Sequence, residues 1–178
     1  MSRIAPRFES NWFERKFKFN FPLEHFPNLC ARLAGTPARL LDLIQGTAPE
    51  VLTAKPDGKW SIQEQIGHLL DMEPLWLARV EDFLQPGRTL TPADLSNSKT
   101  HAANHNTRLP QDLIREFRSA RTCLLARVES LPPNGIGQTL LHPRLQQPMR
   151  LIDHLSFVAD HDDHHIARIQ ELLSSTPS

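Results

Sequence analysis

SIQEQIGHLLDMEPLWLARVEDFL, residues 61–84, decides the architecture of this chain. Ile62, Ile66, Leu69, Leu70, Leu77, Val80 and Phe83 recur at helical spacing, so one apolar stripe runs along the segment. Ser61 and Glu64 fit S-x-x-E, the capping box in which each side chain takes a backbone N–H that the first turn leaves unpaired. Pro86-Gly87 is expected to end the helix near Leu84. Pro74 lies inside it, and its missing N–H predicts a kink near Asp71–Met72. A long amphipathic helix needs other helices to cover its stripe.

Those partners flank it. Upstream, Phe26, Leu29 and Leu33, then Leu40, Leu41 and Ile44, form a helical stretch. Thr36-Pro37 is expected to interrupt it, with Thr36 capping a new helix and Pro37 in its first turn. Gly46 reads as a stop, and PDGK at 56–59 as a loop. Downstream, Leu113, Ile114, Phe117, Leu124, Leu125 and Val128 predict a third helix from near Pro110, ended by Pro132-Pro133. Leu151, Leu155, Val158, Ile169 and Leu172 predict a fourth from about Pro148 to Leu173.

No strand series competes with these stripes. The fold class is therefore all-α, a four-helix bundle. The links at 86–109 and 132–147 are too long for tight hairpins, which suits long crossover connections and argues against up-down-up-down wiring. Residues 1–22 read as an N-terminal arm and 23–178 as a single domain. In the arm, Phe17, Phe19 and Phe21 alternate with Lys18 and Asn20, the pattern of a short extended segment that packs one apolar face on the domain.

Composition narrows the function. In 178 residues, 20 Lys and Arg balance 20 Asp and Glu, so a nucleic-acid partner is not expected. No apolar run approaches the ~20 residues of a membrane span, and charges occupy the place of a signal peptide's apolar core. Cys30 and Cys123, far apart, are expected to be buried hydrophobes and not a disulfide framework. A cytoplasmic protein with a small-molecule substrate is the expectation. The unusual count is nine histidines, three of them within 161–165.

On the fourth helix, His161 and His165 stand where the apolar stripe should continue. Residues i and i+4 are offset by only ~40°, so both imidazoles can reach one metal ion from successive turns. The HExxH glutamate of zinc proteases is missing between them, which removes that reading. His164 could replace His165 but lies further off the stripe. His68 interrupts the apolar face of the second helix, where a polar ring needs a partner. Three neutral imidazoles with one open position fit Zn²⁺, Ni²⁺ or Fe²⁺ and suit catalysis. Among the other histidines, His154 is expected at the polar end of the bundle, and His101 and His105 in a solvated link. Asp71 or Glu73, or instead Asp162 or Asp163, is the candidate carboxylate to orient a ligand ring, with a charged outer face expected for Asp162 and Asp163 otherwise.

The run GKWSIQEQIGHLLDMEPLW at 58–76 and the run DHLSFVADHDDHHIARI at 153–169 resemble the two histidine segments of the DinB/YfiT-like superfamily. PARLLDLIQG upstream and the order from HPRL to DHL agree with that family, so the likeness covers roughly residues 24–173. The resemblance implies a bundle with long crossovers and a divalent metal held by His68, His161 and His165. It also implies a thiol-dependent S-transferase using bacillithiol, mycothiol or glutathione on small electrophiles, and a homodimer. A metal-dependent hydrolase and a non-catalytic metal-binding bundle are the alternatives. The family's usual Arg after the histidine pair is replaced here by Ile166, with Arg168 two positions on. Arg79, Arg121 and Arg168 are the candidate anchors for a carboxylate-bearing thiol.

Overall fold

In a computed structural model, which describes residues 11–85, 87, 89–132 and 136–175, four long helices carry the fold. They are α1 (Phe26–Ile44), α3 (Ile62–Asp82), α5 (Pro110–Glu129) and α6 (Leu151–Ser175), with short helices α2 (Pro49–Thr53) and α4 (Ser98–Ala102) in the links. Pro86 and Pro133, expected at helix ends, and the first ten residues of the arm lie outside the described residues. Ser61 opens α3 as its sequence demands. Its Oγ accepts the Glu64 N–H at 3.0 Å, and the Glu64 carboxylate accepts the Ser61 N–H at 2.9 Å. The helix then runs unbroken through Pro74.

The wiring follows from side-chain pairs. Arg32 pairs with Asp160, Thr36 with Asp162 and Arg39 with Asp163, so α1 and α6 run parallel. Glu73 meets Arg121 and Glu81 meets Arg127, so α3 and α5 are parallel too. Gln65 meets His165 while Trp76 meets His154, which sets α3 antiparallel to α6. The directions are up, down, down, up. The link from α3 to α5 must therefore return along the bundle, and its length allows this. Both α1 and α3 pack on α5 and α6, so helices joined by the other two links stand diagonally across the bundle.

Thr36-Pro37 does not break the first helix; α1 is continuous through Pro37. A proline leaves the carbonyl four residues earlier without its helical donor. That carbonyl, Leu33 O, accepts Arg121 Nη1 at 3.1 Å, and Thr36 is no cap, because its Oγ1 donates to Asp162 Oδ2 at 2.7 Å. Arg121 is 1 % exposed and also pairs with Glu73 and Asp162, which are 3 % and 1 % exposed. One guanidinium from α5 thus ties α1, α3 and α6 together. The apolar core divides at this layer, with Leu33, Trp76, Leu124 and Ala159 on one side and Leu40, Leu69, Phe117 and Ile166 on the other.

A hairpin occupies the end of the 132–147 link and the expected start of the fourth helix, which begins at Leu151 and not near Pro148. Strands β1 (Thr139–His142) and β2 (Gln147–Arg150) pair antiparallel with Leu140 opposite Met149, both buried. Four-residue strands are too short to show alternation, and Pro148 within β2 masks the rest. The hairpin turn presents His142 and Arg144 toward the bundle. The described part of the arm packs as expected, with Phe17 buried against Phe157. Asp153 accepts the N–H groups of Asn20 and Phe21 at 2.9 and 3.2 Å, which anchors the arm to the start of α6. Among the described residues, no helix is long and apolar enough to cross a membrane.

Candidate metal centre

Helices α3 and α6 bring His68, His161 and His165 together in the interior, with ligand atoms all within 4.8 Å of one another. His161 Nε2 lies 3.4 Å from His68 Nε2 and 3.2 Å from His165 Nε2. The outward nitrogens explain this arrangement. His165 Nδ1 sits 2.6 Å from the Gln65 side-chain oxygen, an acceptor, so this nitrogen carries the proton. His68 Nδ1 lies 3.1 Å from Thr100 Oγ1, whose own proton goes to Asp71 Oδ2 at 2.9 Å. Thr100 therefore accepts from His68 Nδ1–H. Both rings turn a bare Nε2 lone pair inward.

Burial reinforces the neutral forms. It pushes His68 down to about 4, and it holds His161 and His165 well below the usual imidazole value. At neutral pH three uncharged rings meet with at most one N–H, that of His161, between their Nε2 atoms. One proton cannot satisfy two facing lone pairs, and His161 Nδ1 has no partner among the described residues. The donor set suits a divalent cation, with the outer nitrogens of two ligands already held by Gln65 and Thr100.

The inner nitrogens face a cavity of about 430 Å³. All three tryptophans of the chain, Trp12, Trp60 and Trp76, line it. Trp12, from the arm, sets its ring edge-on to His161 at 5.2 Å, and Trp60 lies 4.7 Å from His68. Arg79, Arg144 and Arg168 supply cationic lining. His164 also lines this cavity, its ring 5.2 Å from His165, and takes no part in the three-nitrogen cluster.

Other expectations change. His105 is not solvated: it is buried, with Nε2 2.8 Å from Asp71 Oδ2. Gly67 makes that possible, since a Cβ there would collide with the His105 ring. His101 is exposed, its ring 5.6 Å from Trp60. His154 is fully buried beside Trp76 and Phe83, not at a polar end. Among the described residues, no carboxylate orients one of the three rings directly. Asp71 acts through Thr100, while Glu73 and Asp162 hold Arg121, so Asp162 is interior and Arg121 is no ligand anchor. Asp163 stays on the outer side with Arg32 and Arg39. Cys123 is exposed and Cys30 half-buried. Neither is the buried hydrophobe expected, and position 123 lies off the stripe that Leu124 joins.

Gln65, Thr100, His142, Arg144 and the tryptophans were not singled out by the sequence. For Gln65 a signal existed: it lies three residues before His68 on a capped helix, hence beside it on one face. Thr100 carried none, because it arrives from a link.

A family model for the DinB superfamily matches residues 32–169. The chain belongs to the DinB superfamily. Its fold agrees with that of YfiT from Bacillus subtilis, described as a "probable metal-dependent hydrolase with an unusual four-helix bundle topology". The two are 20% identical, with a TM-score of 0.76 over 89% of this chain and 91% of that one. No curated protein matches. The DinB match starts after the arm, so Trp12 is an addition to the cavity from outside the matched span.

Proposed function

We propose that His68, His161 and His165 hold one divalent metal, Zn²⁺, Ni²⁺ or Fe²⁺, and that the protein is a thiol-dependent S-transferase acting on small electrophiles. The observation that carries the metal reading is the meeting of three Nε2 atoms at 3.2 and 3.4 Å while Gln65 and Thr100 hold the outer nitrogens. A divalent cation there supplies positive charge that lowers the pKa of a thiol or water it binds. The chain's own residues supply the surroundings. Gln65 and Thr100 fix ring orientation and tautomer. Trp12, Trp60 and Trp76 line the cavity and offer flat faces to an apolar electrophile. Asp94 is the one carboxylate among the described lining residues, and it is engaged by the hydroxyls and N–H groups of Ser96 and Ser98. That leaves no carboxylate base at the histidines and favours a nucleophile activated without one. In the transfer, sulfur bonds to the electrophilic carbon, the leaving group departs with the bonding pair, and the thiol proton passes to solvent.

Hydrolysis uses the same three histidines and is the second reading. It is favoured by the likeness to YfiT and by His164, which stands on the cavity wall within reach of a base's role. The test supplies bacillithiol, mycothiol or glutathione with a haloarene or an epoxide. Conjugation above the uncatalysed rate should require both bound metal and His68. Metal-dependent cleavage of an ester or amide, with no thiol effect on conjugation, replaces transfer by hydrolysis.

A further inference from the structure

One corner of the cavity has more hydrogen-bond donors than acceptors. His142 is buried there, and burial together with Arg79 and Arg144 pushes its pKa down to about 3, so the ring is neutral and has one lone pair. Three N–H groups aim at its two nitrogens. The Arg144 and Leu145 backbone N–H groups approach Nδ1, each at 3.2 Å, and Arg79 Nη1 lies 3.2 Å from Nε2. One of these contacts must set N–H against N–H. Arg144 Nη2 is buried and has no hydrogen-bond partner among the described residues. Neither Arg79 nor Arg144 has a carboxylate within ion-pair distance among those residues, whereas Arg168, on the same cavity, is paired with Glu171.

This corner is one ring from the histidines. The Arg79 guanidinium lies 5.4 Å from the centre of the Trp76 ring, and that ring lies 5.4 Å from His161. Phe157, whose ring lies 5.2 Å from that of His142, also lines the cavity.

We propose that the cavity takes a small molecule with an apolar, preferably aromatic, body and one anionic group, the anion seated among Arg79, His142 and Arg144. A carboxylate, phosphate or sulfonate brings the acceptors that the corner lacks, and the charge comes from two cations that hold the backbone carbonyls of Thr91 and Phe13 but no carboxylate in ion-pair contact. The tryptophans take the body, which places its far end toward the three histidines. The inference rests on the same cavity being the reaction site, as proposed above, and names the class of molecule that occupies it.

The chain has three tryptophans and no tyrosine, and all three tryptophans line this cavity, so intrinsic fluorescence reports its occupancy without labels. The full chain, stripped of metal, is titrated with 3-phenylpropionate and with its neutral counterpart 3-phenylpropionamide. The carboxylate should bind about tenfold more tightly than the amide, the size of one charge-assisted contact. Arg144 is half-buried, and Arg144→Gln should reduce that preference to threefold or less while leaving the amide's affinity and the thermal melt unchanged. Equal affinities for the two compounds, or no saturable change with either, would overturn the proposal. So would a carboxylate preference that appears only after metal is added and survives Arg144→Gln, because the anion would then sit on the metal. Metal content measured on the same preparations tests the three-histidine reading separately. A metal-free carboxylate preference that Arg144→Gln removes upholds the anion corner whatever that content is.

Discussion

The bundle buries two polar clusters on neighbouring residues of α6, and they differ in how they are closed. At Asp162, the Arg121 guanidinium fills its donors with Glu73, Asp162 and Leu33 O, and Thr36 adds a further hydrogen bond. Of its members only Glu73 reaches a described cavity, a second one between α3 and α5 that no histidine lines. At His161, three imidazoles turn their Nε2 atoms toward one another, at least two of them bare, and line a cavity of about 430 Å³. A buried polar group that has found every partner holds helices in register. One that lacks partners, while its outer atoms are firmly held, is waiting for something from outside the chain.

The largest effect should come from the closed cluster. Arg121→Met leaves two interior carboxylates facing each other, and unpairing buried charge costs about 3–5 kcal/mol. Urea unfolding should show a loss of that size, and adding Glu73→Leu and Asp162→Leu should restore most of it. A loss under about 1 kcal/mol for Arg121→Met would mean that the cluster does not hold the helices together.

The open cluster should respond in the opposite sense. Thr100→Val and Gln65→Leu remove the acceptors for His68 Nδ1–H and His165 Nδ1–H. Metal affinity, measured against a competing chelator, should fall about 10–100-fold in each, with the urea midpoint of the metal-free protein nearly unchanged. A change in stability without a change in affinity would make these residues structural and erase the contrast between the clusters.

A smaller effect sets Glu73 of the closed cluster against two other buried histidines by pH. Burial raises Glu73 from 4.5 to about 7, so the folded state binds this proton first and gains stability as pH falls from about 7 to 4.5. Burial lowers His142 to about 3 and holds His154 well below 6.5, so there the unfolded chain binds protons first. Their contribution is lost as pH falls below 6.5. Between pH 6.5 and 4.5 the histidines outnumber Glu73, and the metal-free protein should weaken by about 1.4 kcal/mol per pH unit for each excess proton. Glu73→Gln removes the opposing proton and should make the fall steeper. A shallower fall in that variant would contradict the buried state assigned to Glu73.

The helices were legible because their signals are local. The Ser61–Glu64 box and the apolar stripes need only neighbours in sequence, and so does the i,i+4 pair His161/His165. What stayed hidden depends on residues meeting from distant segments. Pro37 reads as a break until Arg121, 84 positions on (121 − 37), is seen to occupy the carbonyl that it frees. His105 reads as a loop histidine until Gly67 is seen to make room for it. Arg144 lies in a turn whose strands are too short for a pattern, so its place on the cavity wall had no sequence signature. The three candidate ligands could be chosen in sequence because each broke an apolar stripe. Of their supporting partners, Gln65 was within reach of the same logic, three residues before His68, but Thr100 was not, because it arrives from a polar link and breaks nothing.

A metal ion is proposed to complete the histidine cluster. Elemental analysis of the full chain, purified without chelator and then re-equilibrated with Zn²⁺, Ni²⁺ or Fe²⁺, tests it directly. Wild type should carry about one divalent ion per chain. His68→Ala, His161→Ala and His165→Ala should each lose most of it while keeping a helical spectrum, and His164→Ala should retain it. Full occupancy in His161→Ala, or greater loss in His164→Ala than in His165→Ala, would contradict the assignment.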